Sequence, residues 1–355
     1  MAPLFRSLTG AALTTYSTAI MTEPSSHLPC QTDFSPTASR ECLRLRAELL
    51  RRLRAFFHER GFLEVETPLL SADVVVDRHL DPFYATLAPD PRLPEQGRRL
   101  WLQTSPEFAM KRLLASGYEA IYQVTRSFRN GEQGDLHNPE FTIAEWYRVG
   151  DSFAECMSFA SELCESLLGR GPAERVSYAE AFGRYVGLDP HAAETAELIS
   201  KAQQESLSAP ASLSTEDRDG WLDFLLVELV QEQLGRERPT LLYRYPASQA
   251  ALAQVTADSP PVAERFELYI DGIELANGYH ELLDAEELSR RNRHANAARL
   301  ADGKPPLPEE SRLLAAMRSG LPDSCGVALG FDRLVMVAAG AKTLAEVIAF
   351  PIARA

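Results

Sequence analysis

QVTRSFRNGEQGDLHNPEFTIAEWYR, from Gln123 to Arg148, reads as an extended run, a polar loop and a second extended run. The first run, Ile121 to Phe128, ends at Arg129, and a Gly-bearing loop follows from Asn130 to Pro139. The second run begins at Glu140. Alternate residues of a strand share a face. Phe141, Ile143, Glu145 and Tyr147 therefore line one side, and Glu140, Thr142, Ala144 and Trp146 the other. One face carries an aromatic plate, a carboxylate and a phenol at regular steps, with an arginine fixed at the neighbouring strand's end. A guanidinium suits phosphate and carboxylate oxygens, and an aromatic face can stack on a base. The pattern points to a pocket for a nucleotide and a cationic small molecule.

The string from Phe128 to Arg148, FRNGEQGDLHNPEFTIAEWYR, resembles motif 2 of the class II aminoacyl-tRNA synthetases in its lysyl form. The resemblance implies an α+β fold, an antiparallel sheet flanked by helices. Composition agrees with a large domain of that kind: 355 residues with 45% hydrophobic content can fill a core. A net charge of −14 argues against a broad nucleic-acid surface, so no stable nucleic-acid binding is expected. The five cysteines are scattered without a CxxC pair, which suggests neither a zinc site nor a disulfide framework and fits a reducing cytoplasm. No apolar run reaches the ~18 residues of a membrane span.

The first thirty residues are rich in Ser, Thr, Ala and Pro, with little positive charge and no long apolar stretch. Residues 1–38 are expected to be a disordered tail, or to reflect a start upstream of Met21. From 39 to 355 the chain reads as one catalytic domain. Between Glu41 and Arg60, Leu43, Leu45, Leu49, Leu50, Leu53, Phe56 and Phe57 recur at helical spacing, and Gly61 can close that helix. Phe62 to Pro68 then reads as a short strand. Helix, strand and proline resemble motif 1, the dimer-forming element of the family, which implies a homodimer. Residues 151–240 read as a mostly helical insertion, with a capping box at Ser177-Tyr178-Ala179-Glu180 and a polar break from Ser206 to Asp219.

Ser105-Pro106-Glu107 opens another helix, and capping explains all three residues taken alone. Asp271-Gly272 in FELYIDGIELANGYHEL is a hairpin turn signal. It would pair Tyr269 with Glu274 and Leu268 with Leu275, leaving Glu267 diagonal to Glu274 on one face. Two such carboxylates are either solvated or share a cation, and Mg²⁺ with ATP phosphates would relieve their repulsion. Gly326 to Met336 reads as a strand running into a helix, with Gly330 permitting close approach and Arg333 in the first helical turn.

These stretches resemble the remaining lysyl-family motifs in the family's order. The resemblance implies that Arg129 holds the α-phosphate and substrate carboxylate, and that Arg333 and Phe141 sandwich adenine. Asn130, Gly131, Asn138, Leu275 and Gly330 lie near the nucleotide by the same likeness. Glu267 and Glu274 would bind Mg²⁺, and Glu274 also ATP. Ser105, Pro106, Glu107, Glu145, Tyr147, Asn277, Tyr279 and Glu281 would recognise the amino acid. One position departs from the pattern: Gly131-Glu132 stands where the family has a single Glu, so the adenine reader is either the Gly131 backbone or a displaced Glu132.

Only about forty residues precede the first helix, against the roughly hundred-residue anticodon-reading OB-fold of a lysyl-tRNA synthetase. Synthetase relatives lacking that domain include the elongation factor P–lysine ligases. The resemblance to that group extends through Tyr243–Gln254 and Glu274–Leu282. It implies ATP-dependent attachment of (R)-β-lysine to a lysine ε-amine of elongation factor P. Ala328, where lysyl-tRNA synthetases usually have Gly, would reshape the pocket floor. The competing readings are a tRNA-charging lysyl enzyme and a catalytically dead paralogue. The intact Arg129, Arg333, Glu267 and Glu274 argue against the latter.

Overall fold

The computed structural model describes residues 34–355. The expected N-terminal tail, and with it Met21, lies outside the described residues up to position 33. Helix α1 (Arg40–Glu59) begins at Ser39, whose hydroxyl accepts from the Cys42 N–H, and ends before Gly61 at φ 76°. Strands β1 (Leu63–Glu64), β2 (Leu70–Ser71), β3 (Tyr84–Leu87) and β4 (Arg98–Leu102) come next. Helix α2 (Glu107–Ala115), strands β5 (Ala120–Phe128) and β6 (Glu140–Val149) and helix α3 (Phe153–Leu168) follow. Then come β7 (Glu174–Ser177), α4 (Tyr178–Tyr185), α5 (Thr195–Gln204) and α6 (Arg218–Leu225). The chain continues through β8 (Thr240–Pro246), β9 (Val262–Ile270) and β10 (Ile273–His280), then α7 (Ala285–Ala301) and α8 (Arg312–Gly320). Strand β11 (Ser324–Gly330) and helix α9 (Phe331–Ala339) complete the regular structure.

The main sheet has the order β1-β5-β6-β11-β10-β9-β8-β7. It is antiparallel through the middle and parallel at both edges, β1 with β5 and β7 with β8. The expected antiparallel sheet is therefore mixed, though mostly antiparallel. Strands β2, β4 and β3 form a separate small sheet. The strand expected from Phe62 to Pro68 pairs only at Leu63 and Glu64, with the Val65 N–H adding one bond to the Tyr122 carbonyl.

The alternation along β6 separates two cores. Ala144 and Trp146 enter the core built with α1, α3 and α9, whereas Phe141, Ile143 and Tyr147 enter the one built with α2 and α8. Glu145 points with the second set, and so faces α2. The helical stretch of 151–240 is interrupted by β7, which joins the main sheet. Helices α4, α5 and α6 enclose a third core against β8, and the Ser177–Glu180 capping box forms as expected. Among the described residues, Cys42, Cys156, Cys164 and Cys325 are free thiols, and no helix is long and apolar enough to cross a membrane.

Candidate active site

The β9–β10 hairpin turns at Asp271 and Gly272, both with positive φ. Tyr269 pairs with Glu274, as the Asp-Gly turn predicts, but the next pair is Leu268 with Ala276 rather than with Leu275. A bulge at Leu275 shifts the register, so Glu267 faces Asn277 across the ladder. The Leu275 side chain drops into the α1/α3/α9 core, which leaves only its backbone for any nucleotide.

The expected convergence of Glu267 and Glu274 is met, since both line one cavity of about 760 Å³ together with Arg265 and Arg333. Glu267 accepts hydrogen bonds from Arg265, from the Tyr269 hydroxyl and from Asn277 Nδ2, the last at 3.3 Å. Glu274 Oε1 is buried with no hydrogen-bond partner. Burial, reinforced by Glu267, pushes the Glu274 carboxyl well above the usual range. Each carboxylate oxygen has more than one lone pair. The pair therefore fits Mg²⁺, which takes one or two carboxylates and completes its shell with phosphate and water. No cluster of three or more His, Cys, Asp or Glu that could hold a metal occurs among the described residues.

Arg333 projects from the first turn of α9. It donates to the Glu274 carbonyl at 2.9 Å and the Leu136 carbonyl at 3.2 Å, and lies 3.1 Å from His137 Nε2. Burial pulls its guanidinium down to about 10 against the opposing Glu274 carboxylate, so it stays charged at neutral pH. Burial and the two arginines hold His137 down to about 2, so that ring is neutral.

Arg129 is not on the cavity wall. It is 1% exposed, and its guanidinium lies 4.9 Å over the Phe141 ring. Its charge still acts on Glu274, Arg333 and His137. Phe141 thus carries Arg129 on its ring and does not line the cavity beside Arg333. Glu132 Oε2 sits 3.9 Å from Arg129, and Gly131 takes φ 81°, a turn that an L side chain would strain. The Asn130 N–H donates to the Asp81 carbonyl at 2.7 Å. Asn138 also departs from expectation: its Oδ1 accepts from the Ile352 N–H at 2.9 Å, and its Nδ2 donates to the Glu140 carbonyl. It fastens the C-terminal segment and is not on the cavity wall. A methyl at Gly330 would come no nearer than 3.7 Å to other parts of the chain, so protein packing does not require that glycine.

Behind this cavity lies a second, much smaller one. Glu107, Glu145, Tyr147, Asn277, Tyr279, Glu281, Gly326, Val327 and Ala328 line about 10 Å³ of free space. Six of these are the side chains expected to recognise the amino acid. Ser105 connects two of them, accepting from the Glu107 N–H at 3.0 Å and donating to Glu145 Oε2 at 2.8 Å. The Tyr147 hydroxyl donates to Glu145 Oε1 at 2.5 Å. Pro106 immediately precedes α2 and starts its hydrogen-bonding with a carbonyl that accepts from Met110. Burial, reinforced by Glu107, pushes the Glu145 carboxyl up to about 8. Burial pushes Glu281 up to about 7 against the pull of Lys111.

Three residues here were not singled out in the sequence. Lys111 Nζ lies 2.6 Å from Glu107 Oε1 and pairs also with Glu281 Oε2. Gly326 leaves room for the site, since a Cβ there would meet Tyr147 Cε1 at 2.2 Å and Glu281 Oε1 at 2.3 Å. Arg265 steadies Glu267 from the neighbouring position on its strand face. The i,i+4 spacing of Glu107 and Lys111 is the one of these signals a sequence could have offered.

A family model described as tRNA synthetases class II (D, K and N) matches residues 31–354.

Proposed function

Because the chain belongs to the class II tRNA synthetases of the aspartyl, lysyl and asparaginyl kind, an ATP-dependent ligase-like family, we propose that it activates (R)-β-lysine and transfers it to a lysine ε-amine of elongation factor P. The observation that carries this reading is the sign of the small slot. Glu107, Glu145 and Glu281 converge there, all buried. An aspartate would bring a fourth carboxylate into that space, and an asparagine no cation. A diamino acid brings ammonium groups that buried carboxylates require.

The chemistry follows from placement and charge. A carboxylate oxygen of the amino acid attacks the α-phosphorus of ATP. The bond to the bridging oxygen breaks, and pyrophosphate leaves with the electron pair. The acceptor amine nitrogen then attacks the acyl carbon of the adenylate. AMP departs, and the nitrogen loses a proton to solvent. Positioning and charge neutralisation dominate the first step. Arg129, which lies over the Phe141 ring and 3.9 Å from Glu132, is assigned the α-phosphate and the substrate carboxylate. Arg333 on the cavity wall is assigned the nucleotide. Mg²⁺, when bound by Glu267 and Glu274, would supply positive charge to the phosphates.

The choice of (R)-β-lysine rests on Ala328, which lines the slot where an added methyl narrows the floor. The choice of acceptor rests on the resemblance through Tyr243–Gln254 and Glu274–Leu282. Homodimerisation through the α1 region belongs to the same reading. The test supplies ATP and labelled (R)-β-lysine or L-lysine, then either elongation factor P or tRNA. Label on elongation factor P is expected. Label on tRNA would make this a tRNA-charging lysyl enzyme, and label on neither, with no ATP consumed, a non-catalytic paralogue.

A further inference from the structure

Lys111 is 2% exposed, deep beside the slot that the preceding reading gives to a diamino acid. An amine so buried is costly to charge unless it is paired. Burial alone would lower its proton affinity, but Glu107 and Glu281 outweigh that and raise it above an ordinary lysine's. The amine is a fixed cation. One partner comes from its own helix one turn back; the other follows β10, where the Glu281 N–H donates to the Ser324 carbonyl at 3.0 Å.

Other groups around the slot are left incomplete. Glu107 Oε2, Asn277 Oδ1 and the Tyr279 hydroxyl are buried without hydrogen-bond partners. Lys111 takes one oxygen of Glu107 and turns the other away from itself. The charged groups facing Lys111 are Glu107 from α2, Glu145 from β6 and Glu281 just past β10, and Tyr147, Tyr279 and His280 act in turn on those carboxylates. When cationic groups enter and draw all three slot carboxylates into the ionised form, the single internal ammonium leaves two negative charges to be compensated. A diamino acid carries two ammonium groups.

We propose that Lys111 is a positioning residue that acts as a built-in counter-ion. It fixes the orientation of Glu107 and Glu281 and sets the slot's charge to match two substrate ammonium groups. This inference rests on the diamino-acid reading of the slot for its substrate, but its electrostatic part can be tested on the ligand-free protein.

The variants are Lys111→Met, Lys111→Arg and the double variant Lys111→Met/Glu281→Gln, which removes one positive and one negative charge together. In amino-acid-dependent ATP–pyrophosphate exchange at pH 7, Lys111→Met is expected to raise the diamino-acid KM about 10- to 100-fold, the scale of an unpaired buried charge. The KM for ATP should stay within about twofold, because Lys111 does not face the large cavity. Lys111→Arg should restore part of the loss. In substrate-free stability measurements the double variant should show a smaller pH-dependent deficit than Lys111→Met, because its net slot charge is that of the native protein.

The second readout needs no substrate. Without the lysine, the slot carboxylates hold protons to higher pH in the folded state than in the unfolded state. The stability deficit of Lys111→Met relative to the native protein should therefore widen as pH rises from 6 to 9. A deficit independent of pH, or a double variant no better than the single, would overturn the inference and leave Lys111 a packing residue. If the native protein shows no diamino-acid-dependent exchange, the functional reading fails, while the pH dependence of the deficit still decides the role of Lys111. Should Lys111→Met not fold, the Lys111→Arg and double variants carry the same comparison.

Discussion

The molecule solves two electrostatic problems side by side, in opposite ways. The large cavity is open, about 760 Å³, with a Glu274 oxygen unpartnered and arginines of the opposite sign nearby. The small slot has about 10 Å³ of free space, and two of the carboxylates that line it pair with Lys111. The first region pairs Glu267 with Arg265 and sets Arg333 3.9 Å from Glu274, and under the proposed reading its open space takes a polyanion and a metal. The second holds an internal cation against two of its carboxylates, because three carboxylates in a dry slot repel unless something positive joins them. The difference between them is one of charge balance: the large cavity mixes arginines with carboxylates on an open wall, whereas the small one sets three buried carboxylates against a single buried lysine.

The strongest way to break this contrast is to remove a charge from the nucleotide side. Arg129→Ala is expected to lower ATP–pyrophosphate exchange about 10²- to 10³-fold, the usual loss when a fixed donor to developing charge is deleted. Some loss of thermal stability is also expected, because the variant takes the buried Arg129 guanidinium away from the half-buried Glu132, so exchange is measured at a temperature where the variant stays folded. Near-normal exchange in that variant would remove Arg129 from the mechanism.

The slot side should respond differently. Glu107→Gln keeps the shape but removes a charge from a residue with one oxygen unpartnered and the other on Lys111. The diamino-acid KM is expected to rise about 10-fold or more, as for a lost hydrogen bond to a charged group. The KM for ATP should be nearly unchanged. Steady-state kinetics with each substrate varied in turn separates the two regions, and an equal rise in both constants would mean that they are not independent.

The smallest effect sharpens the comparison within the slot. Ala328→Gly removes one methyl from the wall and is expected to shift the preference between (R)-β-lysine and L-lysine about 10-fold toward the latter, the scale of one methyl group in a pocket. Competition between the two isomers for adenylate formation measures it directly. An unchanged ratio would free Ala328 from that role.

How much of this was legible in the sequence follows from what each signal depends on. The β6 alternation was readable because its two faces serve different cores, so every step of two carries information. Glu145 and Tyr147 were readable for the same reason, since they share a face with Phe141 and Ile143, whereas Glu107, Asn277, Tyr279 and Glu281 came into the slot only through the family resemblance. The hairpin turn was readable from Asp271-Gly272, but the bulge was not. Leu275 and Ala276 are both apolar, so either could occupy the ladder position. The place of Arg129 was only half readable. Sequence fixed it to the end of β5, but a long side chain can reach the cavity or lie over Phe141, and it does the latter. The clamp that Asn138 makes on the C-terminal segment was not readable, because a short amide in a loop serves equally to bind a ligand or to hold a passing chain. Lys111 was missed because Glu and Lys four apart on a helix usually mark a solvent-facing pair. Only the fold brings Glu281 to the same ammonium.

The central claim is that a buried anionic slot beside a nucleotide cavity selects a diamino acid. Its most direct test is ATP–pyrophosphate exchange with the native protein, measured separately with (R)-β-lysine, L-lysine, aspartate and asparagine. The account predicts exchange with a diamino acid and none above background with aspartate or asparagine. Exchange driven by aspartate or asparagine, or the same rate with all four, would contradict it.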